Sequence, residues 1–298
     1  MKKHLLTLVL SLLAMQEMVA QQIPLLCQNH YTMFFYNPAF VGTYTNPQLY
    51  YFNRNRWTDI PDEPRTNGIA FTFPLKKDVI GLGGYLTQDN FGVFHNTNVR
   101  LDFSYDVKLG DSINLFLGYG AGFTDAQIFY VTKTLGTLTD YLRLNCIGGI
   151  VVNWKHLNVG VSVPQLFNNI LTTSLASTSN PNVLYNVRHF IGTVDYLFPI
   201  KKNFTLKTIY ILQKGGRNIP IQHDVCAVAS YKDHYWVSLG FHSSYDMAGG
   251  LGIRLFNHLT LGYAHDFNNS SASPFRDMYA GQINEIIIGY RFGKKLNK

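Results

Sequence analysis

The stretch Val99-Arg100-Leu101-Asp102-Phe103-Ser104-Tyr105-Asp106-Val107-Lys108-Leu109 decides the fold. Successive side chains of a strand point to opposite faces. Val99, Leu101, Phe103, Tyr105, Val107 and Leu109 therefore share one side, and Arg100, Asp102, Ser104, Asp106 and Lys108 share the other. One side is wholly apolar and the other largely charged. The stretch also has the length, about 9–11 residues, that a tilted strand needs to cross a bilayer. A soluble sheet would turn the apolar side to a core, whereas a membrane strand would turn it to lipid.

Working outward, the same period of two recurs with nothing left over to cover the apolar sides. Strands are expected at Leu49–Arg56, Asn67–Phe73, Val79–Gln88, Asn98–Leu109, Ile113–Gln127, Leu142–Asn153 and Leu157–Val163. Others are expected at Arg188–Phe198, Phe204–Gln213, Ile219–Ser230, Tyr235–Ser243, Met247–Leu255, Leu259–Asp266 and Glu285–Phe292. That is about fourteen, an even number of the kind found in single-chain bacterial barrels. The connections alternate. Pro74–Asp78, Gly110–Ser112, Lys155–His156, Pro199–Asn203, Tyr231–His234 and Phe256–His258 are short, whereas Trp57–Thr66, Ile128–Tyr141, Pro164–Val187 and Phe267–Asn284 are long. Short periplasmic turns opposite long extracellular loops are the asymmetry of outer-membrane barrels. The expected fold class is all-β, a transmembrane antiparallel up-and-down barrel.

Composition agrees. Charged residues are 14% of the 298, aromatics 14%, and glycines number 25. Soluble domains carry about 25% charged residues. After the leader no apolar run approaches the roughly 18 residues of a spanning helix. The leader itself has Lys2, Lys3 and His4, an apolar stretch Leu5–Leu13 interrupted only by Thr7 and Ser11, and Ala20 before Gln21. This is the layout of a cleaved secretory signal peptide over 1–20. It leaves a single barrel domain, 21–298, with a periplasmic or lumenal segment 21–47 ahead of the first strand. Cys27 follows Pro24, Leu25 and Leu26, without the small residues of a lipidation signal; with Cys146 and Cys226 it forms no disulfide framework.

Catalytic and ligand-binding patterns are weak throughout. Gly118-Tyr119-Gly120-Ala121-Gly122 lies within a strand and lacks the helix that phosphate binding needs, so it reads as close packing. His265-Asp266 precedes Ser270 and Ser271, and His223-Asp224 lies in another strand, but no nucleophile signature joins them. No enzyme, metal site or cofactor is expected. The formal charge of +7 places Lys76, Lys77, Lys155, Lys201, Lys202 and Lys232 in the expected periplasmic turns. This makes either a solvated rim or a docking face for an acidic periplasmic partner, with no nucleic-acid module.

Several stretches are more specific than architecture. They are Gln22-Ile23-Pro24, Tyr36-Asn37-Pro38-Ala39-Phe40-Val41-Gly42, Arg54-Asn55-Arg56-Trp57 and Pro64-Arg65-Thr66. In the middle stand Gly81-Leu82-Gly83-Gly84, then Asp89 and Gly92, and later Val161-Ser162-Val163-Pro164-Gln165-Leu166-Phe167. The end runs Gly281-Gln282-Ile283-Asn284-Glu285-Ile286-Ile287-Ile288-Gly289-Tyr290-Arg291-Phe292. Together these resemble the PorP/SprF family of membrane proteins from the type IX secretion system of Bacteroidota. Arg56, where the family commonly has Gln, and Cys27 and His30 depart from its pattern. The resemblance implies a non-enzymatic outer-membrane accessory of secretion and gliding. Its implied partners are periplasmic ring components, or a large secreted adhesin with a C-terminal sorting domain. Asn37, Pro38, Gly42, Arg54, Arg56, Trp57, Tyr290, Arg291 and Phe292 are the residues it marks for partner contact. A general or substrate-specific porin is the alternative. The segment before the first strand is compatible with plugging the lumen, lining it, or contacting partners below the membrane, with Asn37, Pro38 and Gly42 fixing its course.

Overall fold

The computed structural model describes residues 28–56, 63–76, 79–131, 136–166, 170–172, 183–185, 189–215, 221–242, 247–267 and 283–293. The strands are β1 (Gln48–Arg56), β2 (Arg65–Lys76), β3 (Ile80–Phe91), β4 (Phe94–Lys108), β5 (Ile113–Val131), β6 (Gly136–Trp154), β7 (Leu157–Pro164), β8 (Ile170–Thr172) and β9 (Val183–Tyr185). They continue as β10 (Phe190–Lys201), β11 (Phe204–Lys214), β12 (Gln222–Tyr231), β13 (Tyr235–His242), β14 (Met247–Leu255), β15 (Leu259–Phe267) and β16 (Ile283–Arg291). All but β8 and β9 form one closed barrel, in which each strand pairs antiparallel with its neighbours and β1 closes on β16. Each strand expected from the alternation has its counterpart.

The differences lie at strand ends. The alternation stops at Phe73 and Phe198, each before a proline, but β2 and β10 run on to Lys76 and Lys201 through register shifts at Pro74 and Pro199. Proline has no N–H for the ladder, and a bulge at a strand end accommodates it. The expected outer loop Ile128–Tyr141 is mostly strand, because β5 and β6 extend as a tall hairpin. Within the expected loop Pro164–Val187, β8 and β9 pair only with each other.

Gln48 stands opposite Arg291 and Thr72, so the start of β1 and the end of β16 lie at one rim. The connections 109–112, 155–156, 202–203, 232–234 and 256–258 lie at that same rim, while β1 ends and β2 begins, and β15 ends and β16 begins, at the other. Lys232 and Asp233 have φ of 53° and 58°, and Phe256 and Asn257 of 52° and 62°. Paired left-handed residues match the twist of tight hairpins, which is how these connections stay so short.

The distribution of polarity is inverted. Leu101, Phe103 and Tyr105 of β4 are 57%, 44% and 45% exposed, while Arg100 and Asp102 are 2% and 0%. The last strand behaves alike: Ile286, Ile288, Tyr290 and Phe292 face outward, and Glu285 and Ile287 are buried inside. An apolar outer wall, with the buried charges turned inward, is the arrangement a bilayer stabilises, since lipid covers what water would expose.

Candidate functional site

Part of the barrel's inward face is covered by the chain's own segment ahead of β1. Residues 28–46 enter the lumen as three short 3-10 turns, Asn29–Tyr31, Met33–Phe35 and Pro38–Thr43. Met33, Phe34, Phe35, Tyr36, Ala39, Phe40 and Val41 are buried there, packed with Tyr50, Phe52, Phe116, Val151 and Trp236 of the wall. The sequence dictates the course of this plug locally. Pro38 holds Asn37 extended, at φ −150° and ψ 113°, and occupies the first helical turn, where a missing N–H costs nothing. The Asn37 Oδ1 then accepts from Ala39 N at 3.0 Å and caps the turn.

The other end of the same amide joins the plug to the wall. Asn37 Nδ2 donates to the carbonyl oxygens of Ile150 at 3.0 Å and Val161 at 3.2 Å, one from β6 and one from β7. It fits because the wall is glycine beneath it: a Cβ at Gly149 would stand 2.1 Å from Asn37 Oδ1, and one at Gly160 2.9 Å from Asn37 Nδ2. Gly118 gives the same close approach on β5, where a Cβ would stand 2.1 Å from Ala39 N. Gly42 passes just as closely over β3, since a Cβ on Gly81 would lie 2.9 Å from its Cα.

The charged side of β4 is the cradle. Arg100 donates to both Asp102 carboxylate oxygens at 2.7 and 3.1 Å and to the carbonyls of Phe34 and Phe35 at 2.8 and 3.2 Å. Its guanidinium lies 4.6 Å from the Tyr85 ring centroid. Ser104 Oγ donates to Ala39 O at 3.1 Å, and Ser162 Oγ of β7 to Tyr36 O at 2.5 Å. Where the plug begins, Gln28 N donates to Glu285 Oε1 at 2.9 Å, and Arg54 Nε stands 4.0 Å from Glu285 Oε2. Burial pushes the His30 imidazole of the plug down to about 3, helped by the nearby Lys207 and Arg254 cations.

The residues marked from sequence thus fall into two groups. Asn37, Pro38, Gly42 and Arg54 are turned into the lumen, and their contacts are with the barrel's own wall. Tyr290, Arg291 and Phe292 lie at the short-turn rim. There Arg291 Nη1 meets Asp233 at 3.1 Å, and its Nε and Nη2 donate to Asn257 O at 3.2 and 3.0 Å. Arg254 meets the same Asp233 at 2.8 Å. Phe292 N donates to Pro47 O at 2.9 Å, so this rim clasp also ties down the base of the plug. The two groups are not brought together. Arg56 donates its main-chain N–H to Pro64 O at 2.9 Å, and Trp57 lies outside the described residues. The cradle residues Arg100, Asp102, Ser104 and Ser162 are not among the marked ones; their place on the polar side of a strand is visible in sequence, but their partners lie far away in the chain.

Below the plug a cavity of about 670 Å³ lies at the short-turn end, roofed by Met33, Phe40 and Tyr44 and lined by Lys108, Asp195 and Lys207 among others. The histidines weighed as catalytic are engaged differently. His223 pairs with the Tyr210 hydroxyl at 2.7 Å, Asp224 with His242 at 2.6 Å, and His265 with Asn284 at 3.0 Å. Ser270 and Ser271 lie outside the described residues. Among the described residues, no group of three or more His, Cys, Asp or Glu could hold a metal ion.

A family model described as type IX secretion system membrane protein PorP/SprF matches residues 18–290. No curated protein matches the chain. Among solved structures, a Pseudomonas aeruginosa FadL homologue is similar at a TM-score of 0.53 and 10% identity, covering 86% of this chain and 93% of that one. The CymD monoaromatic hydrocarbon channel gives 0.54 and 10%, covering 94% and 95%. The P. putida toluene transporter TodX gives 0.52 and 7%, covering 88% and 93%. At such identities these likenesses speak for the fold alone.

Proposed function

This chain belongs to the PorP/SprF family of type IX secretion system membrane proteins, and from that membership we propose that it is a plugged, non-enzymatic outer-membrane accessory of protein secretion. A signal peptide over 1–20 delivers it, and the short turns face the periplasm. It engages periplasmic ring or motor components, or a secreted cargo with a C-terminal sorting domain, through its outer surfaces rather than by conducting a solute.

The observation that carries this reading is the plug. Main-chain carbonyls of Phe34, Phe35, Tyr36 and Ala39 are each held by a wall side chain, so the segment inside the lumen is anchored at several points along its length. In this view Asn37, Pro38 and Gly42 serve partner binding indirectly, by setting the roof of the cavity at the short-turn end. Affinity purification of the tagged protein from native outer membranes, followed by mass spectrometry, tests the proposal. Recovery of a large secreted protein with a C-terminal sorting domain, or of periplasmic ring proteins, is the expected result. Recovery of the barrel alone would overturn it and favour a porin.

A further inference from the structure

Among the described residues, one arc of the short-turn rim gathers cations. The β6–β7, β10–β11 and β12–β13 turns are consecutive around the barrel and carry Lys155, Lys201, Lys202 and Lys232, all exposed. Main-chain bonds stitch this arc together: Leu197 N donates to His156 O at 3.0 Å and Lys232 N to Asn203 O at 2.7 Å. The acids beside these lysines are already engaged. Asp233 is held by Arg254 and Arg291, and Asp195 lies inside the lumen against Lys207 at 3.3 Å. On the other side of the rim Lys76 and Lys108 are accompanied by exposed Asp111, and the β14–β15 turn presents Phe256 and Asn257 instead of lysine.

Two lysines of the arc, Lys155 and Lys232, are also placed against aromatic rings of the wall. Lys155 Nζ lies 5.8 Å from the Trp154 ring centroid and Lys232 Nζ 5.3 Å from that of Tyr231. Tyr231 packs on Phe204 at 4.7 Å, and Trp154, Phe198, Phe204 and Tyr235 are exposed on the outward face just within the rim. Aromatic rings at that level sit at the boundary of hydrocarbon and headgroups, and cations perched on them reach the phosphates. An acidic protein docking beneath the rim would meet cations pointing off the wall; Lys155 and Lys232 instead lie beside its rings.

We propose that this arc is a binding site for anionic phospholipid. The lysines hold the headgroup phosphates and the exposed aromatics hold the first part of the acyl chains. This does not depend on the role in secretion. Each lysine near an anionic lipid surface contributes about a factor of five in affinity, so removing two lowers the preference roughly twenty-five-fold.

The test compares wild type with Lys202→Gln/Lys232→Gln and with the opposite-side pair Lys76→Gln/Lys108→Gln, which changes the net charge equally. Each is reconstituted in phosphatidylcholine vesicles with and without phosphatidylglycerol, and the lipid retained on extraction is read by native mass spectrometry. Wild type and the opposite-side pair are expected to retain phosphatidylglycerol selectively, and the arc pair to lose that selectivity. Lys202→Arg/Lys232→Arg, which keeps the charge, is expected to behave as wild type. Equal retention by the arc pair, or equal loss in both Gln pairs, would overturn the proposal. So would an arc pair that keeps its lipid selectivity yet loses an acidic protein captured by wild type.

Discussion

At the scale of single residues, Asn37 joins local sequence, backbone course and wall packing. Its place before Pro38 fixes its backbone, its oxygen caps a turn, and its nitrogen bridges two strands. Asn37→Ala removes the cap and leaves the amide's wall contacts unmade. The expected loss is about 2–4 kcal/mol, read as a lower unfolding midpoint in denaturant. Asn37→Asp keeps an acceptor for the cap but turns a carboxylate against the Ile150 and Val161 carbonyls, so it is expected to do no better than Ala; full stability of Asn37→Asp would contradict this geometry. His30 gives the pH dependence. It packs against Tyr31 and Trp236, with ring centroids at 4.1 and 4.9 Å, and the Lys207 and Arg254 cations are close enough to oppose a second charge. Its folded value near 3 lies below its ordinary 6.5, so the unfolded chain binds the proton more readily between them. Its stabilisation is therefore complete above pH 6.5 and is lost as the pH falls toward 3. Unfolding measured from pH 7 to 4 is expected to show this loss in wild type and a flatter profile in His30→Phe; parallel profiles would remove His30 from the explanation.

At the scale of elements, the strands were readable and the plug was not, for a physical reason. A membrane strand shows its two environments at every second residue, as Val99–Leu109 does, so the pattern is local. The plug's contacts are distant: Asn37 reaches Ile150 and Val161, and Gln28 reaches Glu285 near the end of the chain. Nothing in Tyr31–Gly42 alone distinguishes a plug from a lining or from a periplasmic arm. A usable signal existed in Gly118, Gly149 and Gly160, which fall on inward positions of their strands, where a barrel filled only by its own side chains would have no need of glycine. The prolines misled at the boundaries, because bulges carry β2 and β10 past Pro74 and Pro199. At the C-terminal strand, Arg291 holds the β12–β13 and β14–β15 turns through Asp233 and Asn257. Arg291→Ala is expected to cost about 1–3 kcal/mol and to raise amide exchange at 232–234 and 256–258. Unchanged exchange at both turns would show that the clasp contributes nothing.

At the scale of the whole molecule, few charges, many aromatics and two kinds of connection already specify a barrel with a direction. What they leave open is whether the interior is a passage. The inner face mixes apolar residues such as Phe52, Phe116 and Val151 with charged ones, and on β4 its Arg100, Asp102 and Ser104 are committed to one another and to the plug. The measurement that bears most directly on this is planar-bilayer conductance of the purified protein, wild type beside a variant lacking residues 28–42. Wild type is expected to be nearly silent and the deletion to open stable ion-conducting pores. Steady conductance with a size cut-off in wild type, unchanged by the deletion, would mean that the lumen is a channel and that the accessory role is wrong.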